Sequence, residues 1–211
     1  GRTLFDYQIH MGTIALTCGM GRIQVGTGGG KTIGGAEIIR QLNARVLWLI
    51  HRTQLVEQTA KELQEALGYP VGVWHGARRD SSTKVLVGTV QSLIKVSKYA
   101  PFWGWWEGLI IDEAQFSASS QWFTVAQRCY KAWYRFGLSG TILTGNPVRD
   151  MKLEGQTGPL FDLIDLGGLV ERDISAQPTM VLHRLPPSAY PKIEVIRDEI
   201  VPGWRKNPRS L

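Results

Sequence analysis

Cysteine is scarce in this 211-residue sequence. Cys18 and Cys129 are too few and too far apart for a disulfide framework or a zinc site. Both are expected as reduced, buried thiols, which suits a reducing compartment. No apolar run approaches the length of a membrane span, and no secretory leader is visible, so no membrane partner is expected. Internal repeats are absent. Acidic residues are outnumbered, 18 against 24 lysines and arginines, for a net charge of +6. That balance suits a polyanionic partner, though many basic proteins have none. The first residue is glycine rather than methionine, as in a processed or excised piece.

What is present describes an ordinary globular chain, 43% hydrophobic and 20% charged. Four short runs are apolar on both faces: Ala44 to Ile50, Lys84 to Thr89, Gly108 to Ala114 and Tyr134 to Thr141. Strands of a parallel sheet covered by helices read this way. Between them lie helical stretches. "TQLVEQTAKELQEAL" puts Leu55, Val56, Thr59, Leu63, Ala66 and Leu67 on one stripe and stops at Gly68. "SSQWFTVAQRCY" opens with a serine cap and groups Trp122, Val125, Ala126 and Cys129. Strands alternating with helices predict a doubly wound α/β domain. The aromatic run Phe102–Trp106 precedes a buried strand and is expected to pack beneath the sheet. After about Pro178 the chain becomes rich in proline and basic residues, as a linker or the first strand of a further domain would be.

The chemistry begins at "GTGGGKT", Gly26, Thr27, Gly28, Gly29, Gly30, Lys31 and Thr32. It follows the strand-like "RIQV" and opens a helical stretch, the setting of a phosphate-binding P-loop. Glycines let consecutive N–H groups curl around phosphate oxygens at the positive end of the next helix. Lys31 would reach the β and γ phosphates, and the Thr32 hydroxyl would bind Mg²⁺. "LIIDEAQ" supplies the other half. Asp112 ends a buried strand, where a carboxylate is costly unless it serves a cation. It would hold Mg²⁺, partly through water, while Glu113 would orient and deprotonate an attacking water. Nucleotide hydrolysis follows, with Lys31, Asp112 and Glu113 as the catalytic set.

Over roughly Leu4 to Met180 the sequence resembles superfamily 2 helicases and translocases. "LFDYQ" looks like their adenine-reading motif, which gives Gln8 to the base, with Phe5 where arginine is usual. "VLWLIHRTQLVEQ" resembles motif Ia, with His51 in place of proline, and "VLVGTVQSL" resembles the next nucleic-acid motif. "DEAQ", ending at Gln115, stands where relatives carry DEAH or DEAD. "GLSGT" resembles motif III, whose Ser139 and Thr141 would relay hydrogen bonds from the Asp112–Gln115 segment. "FGLSGT" is most similar to phage recombination helicases of the UvsW type.

The resemblance implies a RecA-like P-loop NTPase domain over residues 1–177, a mostly parallel sheet with helices on both faces. Residues 178–211 would be a linker or the start of a second RecA-like domain. ATP and Mg²⁺ would be the cofactors. DNA, single-stranded, forked or branched, would run along Arg52, Thr53, Thr89 and Gln91, touched mainly at phosphates. Helix capping by Thr53 and Thr89, and a solvated surface at Arg52 and Gln91, are the plainer readings of the same residues. His75, Arg78 and Arg79 form a basic loop that faces either nucleic acid or solvent. The cytoplasm of a bacterial or phage-infected cell is the expected location. An RNA helicase, a terminase- or restriction-type DNA motor, and a nucleotide-gated DNA-binding module without motor activity stay open beside the DNA helicase.

Overall fold

The structure is a computed structural model and describes residues 3–26, 28–117, 119–140, 146–164, 168–169 and 172. They fall within one unit of the chain, Gly1–Ala176. The expectations for Thr27, Thr141 and residues 178–211 lie outside the described residues.

Each of the four apolar runs becomes a strand, β2 (Val46–Ile50), β5 (Val85–Thr89), β6 (Gly108–Asp112) and β7 (Tyr134–Ser139), and the strand-like "RIQV" lies in β1 (Met20–Val25). Three more complete the sheet: β3 (Val71–His75), the two-residue β4 (Arg78–Arg79) and β8 (Leu160–Ile164). The order is β4-β3-β5-β2-β6-β7-β1-β8. Every pairing is parallel except that of β3 with β4. The fold is therefore the expected α/β P-loop NTPase architecture.

Alternation along β2 shows why the run reads apolar throughout. Val46, Trp48 and Ile50 face one layer, and Leu47 and Leu49 the other. The first layer is closed by α1 (Asp6–Cys18), α2 (Lys31–Leu42) and α3 (Thr53–Leu67). The second is closed by α4 (Val90–Leu93), α5 (Ser120–Arg128) and a 3₁₀ turn at Pro101–Trp105. A last helix, α6 (Pro147–Thr157), leads into β8. Trp103 and Trp106 are fully buried in the second layer, as expected of the aromatic run, while Trp105 is exposed. Among the described residues no helix is long and apolar enough to cross a membrane.

Three local readings need correction. Cys18 is exposed and only Cys129 is buried, because Cys18 closes α1 on the side away from the core. Leu55 is exposed rather than part of the α3 stripe, which is carried by Val56, Thr59, Ala60 and Leu63. Ser119 precedes α5 but makes no side-chain cap bond. Gly68 ends α3 as expected, at φ 79°.

Candidate active site

Parallel strands put their carboxyl ends on one edge, and the loops that leave this edge carry the candidate residues. β1 feeds Gly26–Gly30, β2 feeds His51 and Arg52, β5 ends at Thr89, β6 ends at Asp112 and β7 at Ser139. Gly28 and Gly30 have φ of 84° and 67°, a left-handed conformation that favours glycine. Gly29 needs its small size for another reason: a Cβ there would stand 2.6 Å from Val25 Cγ1. Gly30 caps α2, whose first residue is Lys31.

Helix α1 braces this loop. The Tyr7 hydroxyl donates to the Gly29 carbonyl at 2.7 Å, and Gln8 Nε2 lies 3.4 Å from the carbonyls of Gly29 and Gly30. Gln8 Oε1 accepts the Phe5 N–H at 3.1 Å. Gln8 is thus buried, with both ends of its amide turned to the loop and to the start of its own helix. Here the side chain expected to read a base holds the phosphate loop. Tyr7 escaped the sequence reading, although it is the neighbour of Gln8 in the same motif.

A chain of polar contacts crosses the sheet edge. Lys31 Nζ is 2.9 Å from Glu113 Oε1. Gln115 Nε2 donates to Glu113 Oε2 at 2.8 Å, and the Ser139 hydroxyl donates to Gln115 Oε1. Lys31, Glu113, Gln115 and Ser139 are therefore brought together. Glu113 sits at φ 50°, unusual for a residue with a side chain and typical of functional turns. Burial tends to raise its carboxyl, but hydrogen bonds from Gln115 and Lys31 and the Lys31 charge outweigh this and hold it below the usual value. Asp112 goes the other way. Burial, then the charge of Glu113, pushes it up to about 6 against the pull of Lys31 and the Glu113 N–H. That N–H donates to Asp112 Oδ1 at 2.9 Å.

The donor set at Thr32 and Asp112 fits a hard cation such as Mg²⁺, hydroxyl and carboxylate oxygens being its ligands. Lys31 is engaged with Glu113, and the raised Asp112 marks a buried charge still short of a counter-ion. Among the described residues no cluster of three or more histidines, cysteines or acids forms a metal site. A metal entering with its nucleotide matches that pattern.

A cavity of about 370 Å³ opens beside this chain, floored by Lys31, Asp112, Glu113, Gln115 and Gly140. Its outer wall is Ile50, His51, Arg52, Leu55 and Phe116. His51 stacks on Phe116, with ring centroids 5.5 Å apart. Arg52, Thr53 and Gln91 are exposed, as a phosphate contact requires. Thr89 is not: it is 1% exposed, and its hydroxyl accepts the Ser92 N–H to cap α4, so its burial removes it from any surface contact. The basic loop is also tied down. His75 Nε2 lies 2.8 Å from Glu57 Oε1 of α3, and Arg78 pairs with the same carboxylate.

Comparison with known proteins decides the family. Residues 4–144, well over half of the chain, match the family described as type III restriction enzyme, res subunit. The chain belongs to this family. Its fold is that of the RecA-like first domain of superfamily 2 helicases, within a helicase-type ATPase family. Solved structures of similar fold include the UvsW helicase of bacteriophage T4, at TM-score 0.66 and 19% identity over 75% of this chain and 59% of that one. The type ISP restriction-modification enzyme LlaBIII bound to DNA matches at 0.62 and 19%, over 82% of this chain and 16% of that one. The Hef helicase domain of Pyrococcus furiosus matches at 0.60 and 20%, over 73% and 37%. No curated protein matches the sequence. The chain spans 59% of the UvsW chain, so this res-subunit family member is compared with relatives longer than itself.

Proposed function

We propose that the chain is the ATP-binding part, residues 1–177, of an ATP-dependent DNA helicase or branch-migration translocase, continued from residue 178 by a linker or second RecA-like domain. One observation carries the reading: the polar chain from Lys31 through Glu113 and Gln115 to Ser139. Glu113, kept ionised, is suited to accept a proton from an attacking water. Lys31 neutralises Glu113 here and would turn to the β and γ phosphates when a nucleotide enters the loop. Gly26, Thr27, Gly28, Gly29 and Gly30 of the motif would offer backbone N–H groups to the phosphates of a bound nucleotide. Thr32 and Asp112 would hold Mg²⁺, which when bound offsets phosphate charge. Gln115 and Ser139 link the water site to β7, a route by which nucleic acid and hydrolysis would be coupled. Arg52, Thr53 and Gln91, all exposed, would touch DNA phosphates. A restriction-type DNA motor is the second reading, favoured by the family match itself.

The test compares nucleotide-dependent thermal stabilisation and ATP hydrolysis with single-stranded, forked and duplex DNA and with RNA. Lys31→Ala is expected to abolish the stabilisation. Glu113→Gln is expected to keep it and to lose at least about 100-fold in hydrolysis. Stimulation by RNA alone, or hydrolysis untouched by Glu113→Gln, overturns the reading. Forked DNA stimulating more than plain duplex favours the helicase over the restriction-type motor.

A further inference from the structure

Trp48 is among the largest fully buried side chains of the domain. It lies in the middle of β2, 0% exposed, with its indole N–H lacking any hydrogen-bond partner. An unpaired donor at such depth costs about 1–3 kcal/mol, so buried tryptophans normally find a partner. The ring is held firmly. Its Cη2 and Cζ3 edge lies under Gly35 of α2, one turn beyond Lys31, so close that a Cβ on Gly35 would stand 2.4 Å from Cη2. In the parallel register Trp48 sits opposite Ile110, which places it on the same sheet face as Asp112, two residues further along β6. The N–H is near enough to act on the Asp112 carboxylate, yet outside hydrogen-bonding geometry. That carboxylate has one donor already, the Glu113 N–H at Oδ1.

We propose that Trp48 is a positioning residue for Asp112, its indole N–H closing onto the carboxylate when Asp112 faces the divalent cation of a bound nucleotide. This rests on the reading of Asp112 as a metal-holding residue. Two donors from different strands fix the plane of a carboxylate that one donor leaves free to swing. Groups that hydrogen-bond a metal's ligands set its affinity, and their loss typically weakens it about 10- to 100-fold. The cost of the unpaired N–H in the nucleotide-free state is then removed on binding.

Trp48→Phe deletes the N–H and puts a smaller aromatic ring in its place. The smaller ring costs packing that loss of the unpaired donor partly offsets, so a somewhat less stable but folded variant is expected. Its affinity for a fluorescent non-hydrolysable ATP analogue in EDTA is unchanged, and half-saturation by Mg²⁺ is shifted up about tenfold. A Mg²⁺ titration that overlays the parent's overturns the proposal and leaves the nucleotide reading intact. A parent protein that binds the analogue no better with Mg²⁺ than without overturns both. Should the variant fold poorly, the indole ¹H–¹⁵N resonance of Trp48 in the parent decides. It moves downfield on adding Mg²⁺ with the analogue, and a resonance that stays put overturns the proposal.

Discussion

At the scale of single residues, Asp112 and Glu113 are neighbours with opposite electrostatics. Both line the pocket, Glu113 with Lys31 and Gln115 around it and Asp112 half-buried at the end of β6. This sets a pH dependence of stability in the absence of metal. The folded Asp112 ionises near 6, the unfolded one near its ordinary 3.8. Between those values the folded state holds the extra proton, so this contribution falls as pH rises from about 4 to 6. Above that window the buried charge costs about 2–3 kcal/mol. Asp112→Asn should therefore raise the melting temperature in EDTA at pH 7.5. The gain should vanish near pH 4, and thermal scans across that range check it. At the outer wall, Arg52 is exposed beside the pocket. If it neutralises one phosphate, Arg52→Ala will weaken single-stranded DNA binding and lower the log–log salt slope by about 0.7. Fluorescence anisotropy over a salt series reads both.

At the scale of elements, helix α2 meets the sheet through glycine. Alanine at Gly35 would gain up to about 1 kcal/mol in helix propensity. The methyl would collide with a rigid, buried Trp48 ring and stand 3.1 Å from Leu138 Cδ1. Overpacking costs about 1–3 kcal/mol and wins. Gly35→Ala should destabilise the domain in urea unfolding, and Trp48→Phe, with a smaller ring, should restore part of the loss. The elements that were legible from sequence share one property: a signal contained within a few adjacent residues. The apolar runs of β2, β5, β6 and β7 carry theirs in both faces being buried, β1 in the glycine loop that follows it, and α3 carries its stop in Gly68. β3, β4 and β8 had none. β3 holds glycine and histidine, and β4 is two arginines, the first of them paired with Glu57 of α3. The site divided likewise. Glycines, Lys31, Asp112 and Glu113 are named by spacing alone. The turning of Gln8 toward the loop and the burial of Thr89 depend on where α1 and α4 settle against distant segments, which local pattern does not encode.

At the scale of the whole molecule, a net charge of +6 and a catalytic edge bearing Lys31, His51 and Arg52 make salt a sensitive variable for any nucleic-acid partner. The topology adds a consequence of another kind. β1, which opens the phosphate loop, pairs with β7 and β8 and with no earlier strand. Its residues are made well before those of its partners, which begin only at Tyr134 and Leu160. β2, β5 and β6 can join before that, because their pairings close by Ile111. Such non-local closure is a slow step in folding. A nascent chain stopped short of β7 has the lysine of the loop but no sheet to hold it. Nucleotide binding thus rewards only a finished domain, and ligand present during synthesis would trap the last strands as they arrive.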